Sequence, residues 1–353
     1  MGSEMCIRDS SRTMSLPPSE IPLGAMRFNS DSQKLEYWNG GEWFQIRTFS
    51  PNLDGGARGV WSGGDPSRST NMDFLTIPTR GNTTDFGDLP FNRGGMNCGI
   101  QASNTRGFIC GGEAPVGDSN NYITRFQFST TGSAVDHADL TFTSKNGGSY
   151  SNATRAIQHR GYGAPSITHK DVDAFTMAST ANAFDFGDVV SAAQYGGGGL
   201  ASPTRGIIHI AYNGSTTNAI EFCTISTSGS FQDFGDATTT LNNVRSGTGG
   251  SSTRGVSMGG GDSYTDVCSF LTIATTGNTT NFGDLSTGKS YSNAVSDRIT
   301  CMMAGGQLAP GGTITNQIDS LSIATGGTAV NSGDLTVTKR ENSAASNGHG
   351  GLG

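Results

Sequence analysis

Apolar residues recur along this chain in short bursts with a fixed internal spacing. In one recurring stretch they fall at i, i+3 and i+5: Ile123, Phe126 and Phe128; Val172, Phe175 and Met177; Ile220, Cys223 and Ile225; Ile318, Leu321 and Ile323. The last two of each set flank a single polar residue, which is the period of a half-buried strand. Ahead of each lies an apolar run ending in glycines, such as Val60-Trp61-Ser62-Gly63-Gly64 or Phe108-Ile109-Cys110-Gly111-Gly112. Behind each comes a turn such as Thr275-Thr276-Gly277-Asn278, then a short strand ending in Phe-Gly-Asp. A glycine-rich strand closes the unit, as in Arg93-Gly94-Gly95-Met96-Asn97-Cys98-Gly99. The pattern predicts four short strands per unit and no long helix.

Two markers show that the unit repeats. An arginine opens the first strand at positions 58, 106, 155, 205, 254 and 298, at spacings of 48, 49, 50, 49 and 44 residues. The aspartate of Phe-Gly-Asp, or of a degenerate copy, falls at 88, 139, 188, 236, 284 and 334, at spacings of 51, 49, 48, 48 and 50. Four strands in roughly fifty residues, six times over, predict an all-β, six-bladed β-propeller over residues 57–350. A β-helix with two coils per repeat is the alternative. The tail Lys339–Ser346 matches the glycine-rich strand that precedes Arg-Gly elsewhere. It should therefore pair with residues 57–89, which lack that strand, so that the last blade is closed by the C-terminal strand. Residues 22–48 predict a separate small β-module, with turns at Ser30-Asp31-Ser32 and Asn39-Gly40-Gly41. Residues 1–21 form a leader outside both.

Composition agrees with turns and strands: the chain has 53 glycines, 33% apolar residues and only 14% charged ones. A net charge of -7 without a basic cluster gives no footing for nucleic-acid binding. No apolar run reaches the ~20 residues of a membrane span, so no membrane insertion is expected. No signal peptide is visible either, which predicts synthesis in the cytoplasm. The six cysteines (Cys6, Cys98, Cys110, Cys223, Cys268 and Cys301) form no CxxC pair, and the histidines lack metal spacing. Neither a metal nor an organic cofactor is expected. Six copies of one aspartate argue for structure, because catalysis needs a single asymmetric constellation. The expected role is to accept backbone N–H groups in the turn after its strand. The repeated arginine is read as structural too, and the chain as a non-enzyme. The loops after the glycine pairs vary most, and they should share one face with the turns after Phe-Gly-Asp. Candidate binding residues on that face are Asp65, Glu113, Asn120, Asn121, Asp262, Tyr264 and Gln307.

The arginine-opened strand, the strand ending in Gly-Gly and the apolar strand after it resemble the kelch repeat over about residues 57–350. The regular late Tyr and Trp of kelch are absent, and the Phe of Phe-Gly-Asp stands where the Trp would be. The fuller TTGNxxDFGDL pattern resembles propeller-like structural proteins of marine bacteriophages. Residues 22–47, with Pro22-Leu23-Gly24-Ala25-Met26-Arg27-Phe28-Asn29 and Lys34–Trp43, resemble a short β-module of phage tail and fibre proteins. These resemblances imply a virion structural protein, tail- or fibre-associated. Its partners would be other virion proteins, a host-surface glycan or protein, and further copies of itself. A cellular kelch-like scaffold and a carbohydrate-active propeller enzyme are the alternatives. The first ten residues, MGSEMCIRDS, resemble a translated sequencing adapter, which leaves the natural start at Met14, at Met26 or lost.

Overall fold

The computed structural model describes residues 21–30, 34–46, 56–96, 99, 101–113, 119–163, 168–212, 214–215, 217–238, 247–261 and 263–353. The chain divides into two units, residues 1–53 and 54–353. No α-helix occurs among the described residues.

The first unit holds a three-stranded antiparallel meander of Met26–Asn29, Lys34–Trp38 and Trp43–Gln45. Its second turn is tied by Asn39 Oδ1, which accepts the N–H groups of Gly41 at 2.9 Å and Glu42 at 2.8 Å. Strand register divides the side chains between two faces. One carries the Arg27–Glu36 ion pair at 2.8 Å and the Trp38–Trp43 ring pair at 5.5 Å. The other carries Met26, Phe28, Leu35, Tyr37 and Phe44, all of them exposed.

The second unit is built from six larger antiparallel sheets, numbered in chain order, and a small three-stranded one of Lys289–Ser290, Gln307–Leu308 and Thr313–Ile314. Sheet 1 is Ser343–Ser346, Arg58–Ser62, Ser69–Thr76 and Thr84–Arg93. Sheet 2 is Arg106–Cys110, Asn120–Gln127 and Val135–Ser144. Sheet 3 is Ser149–Ser151, Arg155–His159, His169–Thr176 and Phe184–Ala193. Sheet 4 is Tyr195–Ala201, Arg205–Tyr212, Ala219–Thr224 and Gln232–Asp236. Sheet 5 is Gly247–Gly250, Arg254–Met258, Val267–Thr272 and Thr280–Asp284. Sheet 6 is Asn293–Ser296, Thr300–Ala304, Gln317–Ser322 and Val330–Asp334. The tail does pair with the first repeat: Ser343 sits opposite Ser62 and Ser346 opposite Gly59. The glycine-rich strand is shifted from its expected place in two sheets. Arg93 ends the fourth strand of sheet 1 rather than opening the next strand. In sheet 2 the first strand is reduced to an Ala102–Gly107 bridge and the bond from Phe108 N to Gln101 O at 2.9 Å.

The core lies in seams between consecutive sheets. Phe86 of sheet 1 packs edge-on against Phe126 of sheet 2 at 5.3 Å, and Phe108 of sheet 2 against Phe175 of sheet 3 at 5.4 Å. Further clusters join sheets 3 and 4, 4 and 5, and 5 and 6. A last one sets Trp61, Leu75 and Ala344 of sheet 1 against Val295, Met302 and Ile318 of sheet 6. There the Trp61 indole donates to Asn293 O at 3.1 Å, so a fully buried N–H is satisfied. Each such buried apolar side chain contributes roughly 1.5–3 kcal/mol.

The repeat markers explain the seams. In five sheets the arginine that opens the second strand reaches the next sheet: Arg58 donates to Phe128 O, Arg106 to Met177 O, Arg155 to Ile225 O, Arg205 to Ile273 O and Arg254 to Ile323 O. The Phe and Asp of Phe-Gly-Asp act through their carbonyls. Gly277 N donates to Phe234 O at 2.7 Å and Thr279 N to Asp236 O at 2.9 Å. The same two bonds run from sheet 2 to 1, 4 to 3 and 6 to 5, and from Gly81 and Thr83 of sheet 1 to Ser332 and Asp334 of sheet 6. The glycine between them backs directly onto the next sheet's turn. A Cβ on Gly235 would lie 2.6 Å from the Gly277 carbonyl carbon, and its φ is +141°. Between sheets 2 and 3 both glycines are replaced, by Ala138 and Ala181, and the bond from Ala183 N to Asp139 O remains at 2.8 Å.

The repeated aspartate thus works differently from expectation. Its side chain is exposed in most copies, and Asp88 Oδ1 accepts from the Thr70 hydroxyl at 2.8 Å. The carboxylate or amide that caps the local turn sits three residues earlier. Asp85, Asp185, Asn281 and Asn331 each accept the N–H of the motif glycine two residues on. Two asparagines serve the same seams: Asn82 and Asn278 accept the N–H of Asp334 and Asp236.

Residues 347–353 lie where the arginine-bearing strands begin. Asn347 bonds to Arg58 of sheet 1 and to Asn104 beside sheet 2. His349 Nε2 donates to Ala102 O at 2.9 Å and approaches Ser151 Oγ of sheet 3 at 3.4 Å. Gly350 lies so close to sheet 5 that a Cβ there would meet Ser251 O at 2.2 Å. Arg298 of sheet 6 holds the Gly353 carbonyl.

Candidate binding face

Each sheet has two edges. At one begin the arginine strands, and there the repeated arginines and residues 347–353 are engaged, while register sets the aspartates of Phe-Gly-Asp opposite the loop end of the third strand, at Ala219, Val267 and Gln317. At the other lie the loops between second and third strands. Those loops hold the non-repeating chemistry. Outside the meander and the core Tyr150, the tyrosines are Tyr122, Tyr162, Tyr195, Tyr212, Tyr264 and Tyr291, and all six are at the loop edge. Their rings group: Tyr195 with Tyr212 at 6.0 Å, Tyr264 with Tyr291 at 6.3 Å, and Tyr122 with Phe91 at 5.1 Å. Lys145 lies 4.4 Å above the Tyr162 ring. None of this clustering was read from the sequence, although six tyrosines in glycine-ended loops was a usable signal.

The seven candidate residues fall into separate places. Glu113 joins two cations, Arg68 at 3.0 Å and Lys145 at 2.8 Å. Asp65 is near it, its main chain bonded both ways to Arg340. Tyr264 and Gln307 form a second group: Tyr264 OH lies 3.5 Å from Gln307 Oε1, and Gln307 Nε2 donates to Gly312 O at 3.0 Å. Asn120 is buried and internal, donating to Gly112 O at 2.7 Å and accepting from Tyr122 N, so it is a loop brace. Asn121 bonds toward Leu140 O at 3.4 Å. Asp262 lies outside the described residues.

Beneath the loops, one third-strand position carries a buried polar side chain in every sheet: Asp73, Thr124, Asp173, Glu221, Ser269 and Asp319. Lys339 reaches Asp73 at 2.7 Å and Lys289 reaches Asp319 at 2.6 Å, both from the preceding sheet's last turn. Burial pulls both ammonium groups down, and the carboxylate opposes it. Asp173 instead accepts from Thr141 N and Oγ1 at 2.7 and 2.8 Å, and burial pushes it up to about 6. Glu221 accepts from Val190 N and Ser191 N at 2.8 and 2.9 Å and is likewise raised by burial. The histidines His159, His209 and His349 are interior groups, pulled by burial down to about 3, 4 and 4.

Cys110, Cys223, Cys268 and Cys301 are free and buried, while Cys6 and Cys98 lie outside the described residues. Burial pushes the Cys223 and Cys268 thiols up to about 11 and 12, away from nucleophilic chemistry. Among the described residues no three His, Cys, Asp or Glu side chains gather to hold a metal ion. No helix there is long and apolar enough to cross a membrane.

No family model and no curated protein matches the chain. Among solved structures it is similar to the structure of YjhT, at a TM-score of 0.56 and 12% identity, over 73% of this chain and 93% of that one. It is also similar to a fungal alcohol oxidase of the AA5 family in complex with copper, at a TM-score of 0.51 and 14% identity. That match covers 82% of this chain and 64% of the oxidase, so the chain spans less than two thirds of that protein's length. At such identities the likeness concerns fold alone. The class it supports is an all-β protein of repeated four-stranded antiparallel sheets.

Proposed function

We propose that the six sheets are the blades of a kelch-like β-propeller serving as a non-catalytic binding module of a bacteriophage particle, with the loop edge as its recognition face. The N-terminal meander then provides attachment to other virion proteins, and the ligand is a host-surface glycan or protein. Support for the propeller comes from the six seams, which follow chain order and return from sheet 6 to sheet 1, and from the shared sheet that joins the first and last repeats. The observation that carries the binding reading is the division between the edges. The repeated arginines and residues 347–353 are consumed in joining sheets at one edge, while the non-repeating tyrosines gather at the other, where varied loops stand on a rigid frame. The phage assignment rests on the sequence resemblance.

The full-length protein on a glycan array, beside a variant with Gln307–Asn316 shortened, tests the face. Binding by the first that is lost in the second supports it, and binding by neither removes it. Mass spectrometry of purified phage particles tests the virion assignment, which fails if the protein is absent. Similarity to an AA5 oxidase favours a second reading, a propeller enzyme. Turnover of primary alcohols after copper loading would establish that reading in place of the first.

A further inference from the structure

The loop edge holds several non-glycine residues in left-handed backbone, Arg68, Tyr264, Tyr291 and Glu341 among them. Sheets 1, 2, 5 and 6 each have a left-handed residue seven positions after the repeated aspartate: Gly95, Asn146, Tyr291 and Glu341, with φ between +53° and +61°. The architecture therefore sets that backbone shape. Glycine and asparagine adopt it readily, whereas a tyrosine does so at a cost of about 1–2 kcal/mol. Tyr264 is also left-handed, at φ +52°, in the loop position that Arg68 occupies in sheet 1. Arg68 is turned toward Glu113, but Tyr264 is turned toward Tyr291. Two aromatic residues in costly conformations thus face each other across the seam of sheets 5 and 6, their rings 6.3 Å apart and 43° from parallel. Strain of this kind clusters at ligand-binding sites.

The surroundings give the chemistry. Both tyrosines are half-buried, so each offers a ring face and a hydroxyl. Gln307 stands beside Tyr264 and uses one N–H on Gly312 O, leaving a second N–H and acceptor lone pairs. Over the Tyr291 ring lies Arg340, its guanidinium carbon 5.9 Å from the ring centroid. Its Nε–H is shielded from solvent and has no hydrogen-bond partner among the described residues. An amide, two aromatic rings and a cation thus lie in contact with one another at the site. A sugar ring carrying a carboxylate presents the matching groups: hydroxyls, an apolar ring face and one anion suited to the guanidinium fork.

We propose that Tyr264 and Tyr291 form the platform of a binding subsite for a carboxylated pyranose, with Gln307 bonding ring hydroxyls and Arg340 pairing the carboxylate. This rests on the loop edge being a recognition face. The test is an array of oligouronates and sialylated glycans beside their neutral counterparts, followed by titration of the best binder. Three variants of the full-length protein are compared: Tyr291→Asn, Arg340→Met and, as a control at the neighbouring ring pair, Tyr212→Ala. Asparagine already occupies the equivalent position at Asn146, so Tyr291→Asn should melt no earlier than the parent, yet bind at least tenfold more weakly. Arg340→Met should abolish the preference for acidic over neutral sugars. Tyr212→Ala should leave affinity unchanged. Acidic-glycan binding that survives Tyr291→Asn, or that is lost only in Tyr212→Ala, overturns the subsite and leaves the face standing. A clear drop in melting temperature for Tyr291→Asn would make the ring structural and overturn it as well. Absence of any glycan binding by the parent removes both.

Discussion

Two stretches of the ring of seams bury the same kind of charge in different ways. From sheet 5 through sheet 6 to sheet 1, a buried aspartate meets a lysine that is itself buried: Asp319 with Lys289 and Asp73 with Lys339. From sheet 2 through sheet 4, Asp173 and Glu221 sit at the equivalent strand position without a lysine, and take N–H groups from the preceding sheet's last strand. Five residues after the repeated aspartate, Lys289 and Lys339 correspond to Ser144 and Ala193. The contrast teaches that the fold requires hydrogen-bond donors at this depth, and does not require that they be charged. The lysine solution carries more risk, because a buried ion pair gains little while intact and costs much when broken.

Breaking a pair from one side should therefore give the largest effect. Lys339→Met leaves Asp73 buried without its counter-charge, and we expect a loss of roughly 3–5 kcal/mol in chemical denaturation. The double variant Lys339→Met with Asp73→Asn should recover most of it. A loss below about 1 kcal/mol for the single variant would mean that water or the Thr336 hydroxyl, which also bonds Asp73, suffices at this seam.

The lysine-free stretch should show itself in pH dependence. Asp173, pushed up to about 6, holds its proton more tightly in the fold than in the unfolded chain. Its stabilising contribution is complete below about pH 4 and is lost as pH rises through about 6. The interior histidines act oppositely. Pulled down to about 3 or 4, they stay neutral in the fold while the unfolded chain takes up protons below about pH 6.5. Their contribution is complete above pH 6.5 and is lost on acidification. With three such histidines, stability should fall between pH 6.5 and 4, cushioned by Asp173. Asp173→Asn should steepen that fall, read from denaturation midpoints across the range. An unchanged slope would show that Asp173 titrates normally.

Much of this frame was legible because it repeats. The arginines and Phe-Gly-Asp turns fixed six units, and the unmatched tail Lys339–Ser346 announced the pairing of Ser343–Ser346 with Arg58–Ser62. What those markers do was not legible. Backbone carbonyls carry the seam at Asp88 and Asp236, and a carbonyl leaves no trace in side-chain identity. The capping carboxylate was three residues away, at Asp85 and Asp185. The loop edge was the least legible part. Asn120 reads as a surface loop residue and is an internal brace, while Tyr291 and Arg340 lie in polar stretches that the repeat markers do not single out. Sequence periodicity reports what is shared between units, and a recognition site is built from what is not.

The smallest and most discriminating change transplants one solution into the other. Ala193 lies five residues after Asp188, so it occupies the lysine position of sheet 3, and Glu221 is the matching buried position of the next sheet. Ala193→Lys would bring an ammonium to a carboxylate that already accepts two N–H groups and still has lone pairs to offer. The gain from pairing and the cost of burying the ammonium nearly offset, so stability at pH 7 should change by about 1 kcal/mol or less. Glu221, now raised by burial, should titrate lower, which NMR of its side-chain carboxyl would register as a shift of its midpoint. Adding Glu221→Gln to Ala193→Lys should then cost several times more than Glu221→Gln alone, because the new ammonium would be left without its counter-charge. Equal costs in the two backgrounds would mean that the lysine snorkels to the loop edge. In that case the lysine seams owe their geometry to sheet 6 itself, and the six positions share a strand register without sharing an environment.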